Sequence, residues 1–244
     1  MKSSKITIVT VCYNSVRTIE ETILSVLNQT YPDIEYIIID GGSRDGTVDI
    51  IKKYADRLAY WISEPDNGIY DAMNKGISVA TGDYINFMNS GDSFADKSIL
   101  EKIFSHYNRN SDVLYGNVNY TRFGTIQRVV HPRPLETMKE KMPFNHQASF
   151  TKLSYIKKHL FDTKFKIYAD YNLFYTGLYH DAISFEYLNL VVANYDLGGL
   201  SSGNIFSSRE CYKVWKCSYL SPRILKHELK LWYYLLTRFK KNAE

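Results

Sequence analysis

Polar residues follow each of the first four strand-like runs of the sequence, at residues 13–14, 40–42, 63–68 and 89–92. Any one of these clusters alone would be interpreted as a turn, because Gly, Asn, Asp and Ser each favour turns for local reasons. Four of them at one edge of a sheet instead predict a ligand pocket that is rich in carboxylate and amide groups. Such groups suit a ribose, a nucleobase and a divalent cation that carries phosphates.

Two common nucleotide-binding motifs are absent from the sequence. There is no GxxxxGK[ST] phosphate loop, and the first strand-like run leads into VCYNSVR, where a dinucleotide-binding fold needs GxGxxG. A Rossmann-type nucleotide-dependent oxidoreductase is therefore disfavoured, although it stays an alternative.

Strand and helix patterns alternate through the first hundred residues. Runs rich in β-branched residues predict strands at 6–11, 34–40, 58–63 and 84–88. Apolar residues at helical spacing predict helices that begin near Asn14 or Ser15 and that cover 47–55, 69–80 and about 97–107. This β-α-β order predicts a mostly parallel sheet with helices on both faces, in which ligands bind beyond the carboxyl ends of the strands.

The pattern changes beyond residue 110. We predict there two strands joined by a turn near Gly124, a strand or strand end at 143–151, a helix at 168–180, a strand at 183–196 and two helices within 207–242.

Composition excludes several classes of protein. The chain of 244 residues is 45% hydrophobic, which is enough for a sizeable core. It has no run of about 20 apolar residues that could span a bilayer, and its N-terminus lacks the apolar stretch of a signal peptide. The three cysteines show no CxxC spacing. We therefore expect a cytoplasmic protein without a disulfide framework or a zinc site.

The net charge of +4 is unevenly distributed. From Phe206 to the end there are nine Lys/Arg and three Asp/Glu, so this segment carries +6 and the first 205 residues carry −2. A nucleic-acid-binding protein would more often spread its basic residues over the fold, so no nucleic-acid partner is expected.

Segment 222–241 mixes apolar, aromatic and basic residues, which is typical of a helix on a membrane surface. A helix packed on the domain, or a dimer contact, is the alternative.

The four polar clusters lie in segments that resemble the successive motifs of family 2 glycosyltransferases. These segments are VTVCYNS, YIIIDGGSRDGT, SEPDNGIYDAMNKGI and ATGDYINFMNSGD, and together they cover roughly residues 5–95. A weaker resemblance continues through NHQASF, KIYADYNLF and NYDLGGLSS. The resemblance implies the GT-A fold and transfer of a sugar from a nucleotide donor, in the subgroup that makes bacterial capsule, O-antigen and exopolysaccharide chains.

The resemblance also implies how the chain is divided. Residues 1–205 would form the GT-A domain, an α/β fold with a nucleotide-binding, mostly parallel sheet flanked by helices. Within it, the half up to about residue 110 would bind the nucleotide-sugar, and residues 111–205 would form a smaller acceptor and catalytic half. From the charge and apolar pattern of its own residues, segment 206–244 is predicted to form a basic amphipathic helical tail.

In this family the first two strand ends and the loop after the third strand bind the nucleoside. By that match Tyr13, Asn14, Asp40 and Asp66 are candidates for contacts with uracil and ribose. A carboxylate can accept a hydrogen bond from a base N–H or a ribose hydroxyl, and capping of a turn is the alternative role. Lys75 could reach the diphosphate, or it could be a solvated helix lysine.

Residues 89–92, with the sequence NSGD, occupy the place where the family carries its Asp-x-Asp metal motif. Asp92 is the candidate ligand for a divalent metal, Mg²⁺ or Mn²⁺. One carboxylate is enough in principle, because substrate phosphates and water can complete the coordination. Asn89 could accept a hydrogen bond from the ribose or coordinate weakly through its amide oxygen. Gly91 lets the backbone approach the diphosphate closely.

The family's general base is the Asp of a Glu-Asp pair at the start of a helix in the second half. Asp170 matches this base, and Ala169 stands at the Glu position. A carboxylate there would take the proton of an acceptor hydroxyl in an inverting displacement. The alternative is that Asp170 only favours the start of its helix.

His146 and Gln147 match positions near the donor sugar or acceptor, and for His146 a structural role is the alternative.

Together these matches imply inverting, metal-assisted transfer from a nucleotide-sugar, with a UDP-sugar as the expected donor. The acceptor would be a hydroxyl of a glycan or an undecaprenyl-linked glycan in surface polysaccharide synthesis. The enzyme would be a hexosyl- or N-acetylhexosaminyltransferase, peripheral at the inner face of the cell membrane. A catalytically silent sugar-nucleotide-binding module is the alternative, and the NSGD turn and Ala169 are the features that support it.

Overall fold

The computed structural model describes residues 4–106, 110–122, 124–198 and 214. In these ranges the α-helices are α1 (Ile19–Leu27), α2 (Thr47–Lys53), α3 (Ile69–Val79), α4 (Ile99–His106), α5 (Leu153–Ile156) and α6 (Ala169–Tyr179). The strands are β1 (Ile6–Cys12), β2 (Ile34–Asp40), β3 (Tyr60–Ser63), β4 (Tyr84–Phe87), β5 (Ser93–Phe94), β6 (Val113–Arg122), β7 (Thr125–Val130), β8 (Ser149–Lys152) and β9 (Phe185–Asp196). Short 3₁₀ turns cover Ala55–Arg57, Leu135–Lys139 and His146–Ala148.

The strands form one sheet in the order β3-β2-β1-β4-β8-β6-β9-β5, and β7 pairs with β6. β1 pairs in parallel with β2 and β4, and β2 pairs in parallel with β3, as the alternating pattern predicts. The register aligns Cys12 with Asp40 and Asp40 with Ser63. The carboxyl ends of β1, β2 and β3 therefore lie side by side, and the first three polar clusters meet at one edge of the sheet.

Apolar side chains from alternate positions of the parallel strands pack on the two faces of the sheet. On one face Val9 and Ile37 pack with residues of α3 and α6. On the other face Ile8 and Ile38 pack with residues of α1, α2 and α4. Helices thus cover both faces, which explains why these strands are continuous apolar runs rather than alternating ones.

The second half adds antiparallel pairs to this sheet. β8 pairs antiparallel with β4 and β6, β7 pairs antiparallel with β6 across the predicted turn near Gly124, and β9 pairs in parallel with β6. The strand expected within 143–151 is shorter than predicted, because the 3₁₀ turn His146–Ala148 precedes β8. A short strand that we did not predict, β5, follows Asp92 and pairs with β9.

The helices predicted within 207–242, and the basic tail as a whole, lie outside the described residues except for Val214. In the ranges that the structure describes, no helix is both long enough and apolar enough to cross a membrane.

Candidate active site

An exposed aromatic ring and a carboxylate meet where β1, β2 and β3 end. Tyr13, directly after β1, is 64% exposed. Gly41, directly after β2, donates its N–H to the Cys12 carbonyl at 2.9 Å. A Cβ atom at Gly41 would lie 2.5 Å from Asp66 Oδ2 and 3.4 Å from the Tyr13 ring, so a larger residue there would displace the Asp66 carboxylate. The arrangement offers a surface for stacking beside a hydrogen-bond acceptor.

Asp40 lies beneath this surface rather than in it. Its side chain is fully buried. Oδ2 accepts hydrogen bonds from the Gly42 and Ser43 N–H groups and from the Ser63 hydroxyl. Oδ1 accepts one from the Ser43 hydroxyl. The carboxylate therefore ties the turn after β2 to the end of β3, and direct contact between Asp40 and a nucleotide stays a prediction.

Asn14 connects the loops that follow β1 and β2. Its backbone is left-handed, with φ of 47°, a conformation that Asn adopts more readily than most residues. Its N–H donates to Ser43 Oγ at 2.7 Å, and its Oδ1 accepts from the Arg44 N–H at 3.0 Å. Asn14 itself is exposed beside Tyr13, so the geometry leaves it at the rim of the predicted nucleoside site.

Lys75 reaches from α3 to the loop after β3. Its Nζ lies 2.8 Å from Glu64 Oε1 and donates to the Pro65 carbonyl at 3.0 Å. The hydrogen bond to Glu64 raises the pKa of Lys75. The ammonium group therefore holds the loop that carries Asp66, and contact between Lys75 and a diphosphate stays a prediction.

The fourth polar cluster forms a tight turn between β4 and β5. Gly91 has φ of 101°, a conformation that favours glycine. Asp92 is 6% exposed. Its Oδ2 accepts from Gln147 Nε2 and its Oδ1 from the Asp196 main-chain N–H, both at 3.0 Å. Burial raises the pKa of Asp92 to about 7, although these two hydrogen bonds act to lower it.

Asp196 provides a second carboxylate beside this turn, and reasoning from the sequence missed it. It is the last residue of β9, and its Oδ2 would lie 4.0 Å from a Cβ atom at Gly91. Its charge acts to raise the pKa of Asp92. The segment NYDLGGLSS contains Asp196, but 104 residues separate it from Asp92. The pairing of β5 with β9 brings the two together.

A chain of hydrogen bonds joins Asn89 to the predicted base. Asn89 Nδ2 lies 3.2 Å from His146 Nε2, and His146 Nδ1 lies 3.0 Å from Asp170 Oδ2. On the other side, the Tyr70 hydroxyl lies 3.0 Å from Asp170 Oδ1 and 2.5 Å from the Ile167 carbonyl oxygen. Asp170 stands in the first turn of α6, and its side chain is 16% exposed.

The predicted site residues thus fall into two groups. The first surrounds the ends of β1, β2 and β3 and consists of Tyr13, Asn14, Asp40, Asp66 and Lys75. The second is linked through the turn after β4 and consists of Asn89, Asp92, His146, Gln147 and Asp170. Tyr70 and Asp196 join the second group; both lie within the quoted motifs, but neither is predicted from the sequence as a site residue.

The second group has the chemistry of a partial cation site. In the described part of the chain, no three His, Cys, Asp or Glu side chains gather as a metal centre. The carboxylates of Asp92 and Asp196 nevertheless lie at one turn, and hard oxygen ligands are those that Mg²⁺ and Mn²⁺ prefer. The residues fit a cation that takes its remaining ligands from substrate phosphates and water.

The chain matches a family model over most of its length. Residues 7–171 match the model described as Glycosyl transferase family 2. The chain is 36% identical over 172 residues to an uncharacterized glycosyltransferase of Mycobacterium tuberculosis, a match that covers 68% of this chain and 65% of that protein. It is 30% identical over 195 residues to a PGL/p-HBAD biosynthesis glycosyltransferase of Mycobacterium bovis, with coverage of 73% and 72%. The chain therefore spans just under two thirds of the first relative.

Solved structures share the fold at low sequence identity. S. aureus TarS 1–349 in complex with UDP-GlcNAc aligns with a TM-score of 0.66 at 19% identity, over 86% of this chain and 64% of that chain. The mannosyltransferase PcManGT from Pyrobaculum calidifontis, in complex with GDP-Man and Mn²⁺, aligns with a TM-score of 0.66 at 17% identity, over 93% and 70%. These neighbours confirm the GT-A fold. The chain belongs to glycosyltransferase family 2.

Proposed function

We propose that the protein transfers a sugar from a UDP-sugar to a hydroxyl of a glycan or lipid-linked glycan, with inversion at the anomeric carbon. The surroundings of Asp170 carry this proposal. Its carboxylate contacts His146 and Tyr70, and His146 links it to Asn89 in the turn after β4. One hydrogen-bond network therefore connects the proposed base, Asp170, with the turn that is expected at the donor diphosphate.

The ends of β1 and β3 support a nucleoside site. The exposed ring of Tyr13 could stack on a base, and Asp66 could accept a hydrogen bond from a base N–H or a ribose hydroxyl. Asn89 Oδ1 is buried without a hydrogen-bond partner among the described residues. Buried polar atoms of this kind are rare, so this oxygen is a candidate acceptor for a donor hydroxyl.

A divalent cation, Mg²⁺ or Mn²⁺, would be held by Asp92 and Asp196 together with the donor diphosphate. Bound there, it would neutralise the charge that develops on the leaving group. The protonation state of Asp92 would depend on whether the cation is bound. Because burial raises the pKa of Asp92 to about 7, a neighbouring cation would favour its ionised form.

Asp170 would act on the acceptor. The acceptor oxygen forms a bond to the anomeric carbon while the bond from that carbon to the diphosphate breaks, and the hydroxyl proton passes to Asp170. The electron pair of the broken bond leaves with the nucleoside diphosphate. A donor with an α-linkage would therefore give a product with a β-linkage.

The identity of the acceptor and the cellular location of the enzyme are proposed from the sequence. A basic amphipathic tail at 206–244 could hold the enzyme at the inner face of the cell membrane. An undecaprenyl-linked glycan would be accessible there, and the product would enter capsule, O-antigen or exopolysaccharide. The division of residues 1–205 near residue 110 into donor and acceptor halves belongs to the same proposal.

Binding of nucleotides tests this function against its alternatives. The melting temperature would be measured with UDP, GDP, UDP-GlcNAc and NAD, each with Mn²⁺ and with EDTA. We expect UDP and UDP-GlcNAc to raise it, and to raise it more with Mn²⁺, because a ligand stabilises the folded state that binds it. A rise with NAD and none with UDP would contradict the proposal. Binding of UDP-sugars without any turnover would favour the silent module, which Ala169 and the NSGD turn support.

A further inference from the structure

We propose that His146 positions the carboxylate of Asp170, and that Asn89 in turn selects the ring tautomer with which His146 does so. The inference rests on the proposed role of Asp170 as the general base. It gives Asn89 a task on the acceptor side of the reaction, although Asn89 lies in the turn where a metal ligand is expected from the family resemblance. His146 and Asn89 are positioning residues, because they act through Asp170.

The direction of each hydrogen bond follows from the chemistry of the three side chains. An ionised carboxylate only accepts, so the 3.0 Å contact to Asp170 Oδ2 requires the proton on His146 Nδ1. An amide NH₂ group only donates, so Asn89 Nδ2 at 3.2 Å requires an unprotonated Nε2. One neutral imidazole satisfies both contacts. Its single N–H is thereby directed at Asp170.

Asn89 is suited to this task in a way that an aspartate is not. A carboxylate at position 89 has no N–H and could not donate to His146 Nε2. It could only accept a hydrogen bond, so Nε2 would have to carry a proton. A neutral ring would then have no N–H left at Nδ1 for Asp170, and a doubly protonated ring would place a positive charge beside the base. The amide at position 89 therefore supports the geometry of the base.

The backbone that carries His146 is held from β4. Asn86 is fully buried, and its Nδ2 donates to the carbonyl oxygens of Gln147 and Ser149 at 2.9 and 2.8 Å. The Ser149 hydroxyl donates to the His146 carbonyl at 2.8 Å. The turn at His146–Ala148 is thus fixed independently of the ring. A group that orients a base must itself be held in place, and this turn meets that requirement.

Tyr70 supports Asp170 from the opposite side. Burial and then the charge of Asp170 raise the pKa of Tyr70, so the phenol keeps its proton. That one proton faces two acceptors, Asp170 Oδ1 at 3.0 Å and the Ile167 carbonyl at 2.5 Å. The Nδ1–H of His146 is directed at Asp170. His146 therefore donates its proton to Asp170 alone, whereas Tyr70 divides its proton between two acceptors.

Substitutions that mimic one ring nitrogen at a time test the inference. An Asn side chain places its amide near the position of Nδ1, and a Gln side chain places it near Nε2. The full-length wild type and the variants His146→Ala, His146→Asn and His146→Gln would be assayed for release of UDP with Mn²⁺. The probe would be whichever of UDP-GlcNAc, UDP-glucose or UDP-galactose the wild type hydrolyses fastest, since water then replaces the unidentified acceptor.

We expect His146→Ala and His146→Gln to lower kcat about 100-fold, because misplacement of a reacting group by about 1 Å costs that much. We expect His146→Asn to stay within about fivefold of the wild type, because it keeps a donor toward Asp170. KM should change little in all three variants. Asn89→Asp should lower kcat about tenfold, since general-base catalysis depends on the geometry of the base.

His159 offers a matched control. Its Nδ1 lies 3.7 Å from Asp181 Oδ2, and its ring stacks on Tyr155 with the centroids 4.5 Å apart. It thus resembles His146 in having a nearby carboxylate, but it belongs to neither group of site residues. We expect His159→Ala to keep the wild-type kcat.

Two outcomes would overturn the inference. One is a folded His146→Ala enzyme with wild-type kcat, and the other is an equal loss of kcat in the Asn and Gln variants. If His146→Ala fails to fold, the difference in kcat between His146→Asn and His146→Gln still tests the inference. The activity of Asp170→Asn distinguishes a failure of this inference from a failure of the proposed function. If this variant is inactive while His146→Ala is active, only the positioning role is wrong, and if both are active the base assignment is wrong as well.

Discussion

The carboxylates of the site differ in their surroundings, and therefore in what they can do. Asp40 is fully buried and serves the turn after β2. Asp92 is buried beside a second carboxylate, and its pKa is raised to about 7. Asp170 is partly exposed and contacts two side chains that hold its orientation. Of the three, Asp170 alone combines partial exposure with side-chain contacts that hold it, which supports its proposed role as the general base.

Asp196 allows a direct test of the proposed cation site. We expect Asp196→Asn to raise the Kd of UDP in the presence of Mn²⁺ about tenfold, because an amide binds a divalent cation more weakly than a carboxylate does. The Kd in EDTA should not change. Isothermal titration calorimetry measures both values.

Asp49→Asn is the matched control for this measurement, because the Asp49 side chain is 82% exposed on α2. Equal Mn²⁺-dependent affinity for UDP in the Asp196 variant and the wild type would show that Asp196 does not contribute to cation binding.

Tyr13 tests the proposed nucleoside site. We expect Tyr13→Ala to weaken UDP binding by about 1–3 kcal/mol, the range for stacking of a base on an aromatic ring. The melting temperature should hardly change, since the ring is 64% exposed. Tyr60→Ala is the control, because Tyr60 is 38% exposed at the first residue of β3, away from the carboxyl ends of the strands. Unchanged affinity in the Tyr13 variant would mean that the base binds elsewhere.

Sequence motifs predict His146 and Asp170 as site residues but do not reveal that their side chains are in contact. The two lie 24 residues apart and on different elements, so no helical or strand spacing relates them. Tyr70 and Asp170 are 100 residues apart, and their contact depends on how α3 packs against α6. Contacts of this kind are set by tertiary packing, which a single sequence does not encode in any local pattern.

At the scale of elements, the parallel strands are predictable because each is a buried run between turn residues. β2 has the bounds expected from 34–40, since the run IEYIIID is followed directly by glycines. β5 is different. It has two residues, too few for any periodicity, and it exists because β9 supplies its hydrogen-bonding partner.

Glu35 shows how the parallel strands are joined at the end opposite the site. Its Oε2 accepts from the Thr7 hydroxyl at 2.6 Å and from the Thr81 N–H at 2.7 Å. Its Oε1 lies 3.0 Å from Lys5 Nζ. One carboxylate thus connects β1, β2 and the segment before β4. Burial acts to raise the pKa of Glu35, but hydrogen bonds from Thr7 and Thr81 outweigh it and lower the pKa to about 2.

We expect Glu35→Gln to reduce the free energy of unfolding at pH 7 by up to about 3 kcal/mol, from the size of the pKa shift. The pKa of Glu35 is lower in the folded state than its ordinary value of 4.5. Its contribution is therefore complete above pH 4.5 and is lost as the pH falls toward 2. Urea unfolding at several pH values measures this. A difference between variant and wild type that stays constant with pH would contradict it.

At the scale of the whole molecule, one sheet carries both groups of site residues. β1, β2 and β3 end at the predicted nucleoside site, and β4 leads into the turn at 89–92. β4 also pairs with β8, and its Asn86 holds the turn that carries His146. The central strand β4 therefore links the turn at 89–92 to the turn that carries His146.

The tail gives a prediction that concerns the location of the whole enzyme. We expect Lys226→Glu together with Lys230→Glu to reduce co-sedimentation with vesicles that contain phosphatidylglycerol, since each basic residue near an anionic surface contributes about 1 kcal/mol. UDP binding should be unchanged, which serves as the control for folding. Equal sedimentation of the variant and the wild type would argue against a membrane role for this segment.

The most direct test of the central claim is the turnover of a UDP-sugar by Asp170→Asn. Asn keeps the size of the side chain but is far less basic, so we expect kcat to fall by about 10²–10⁴, the usual contribution of a general base. The Kd of UDP with Mn²⁺ should stay at the wild-type value. Wild-type kcat in the Asp170→Asn variant would contradict the proposed role of Asp170 as the general base.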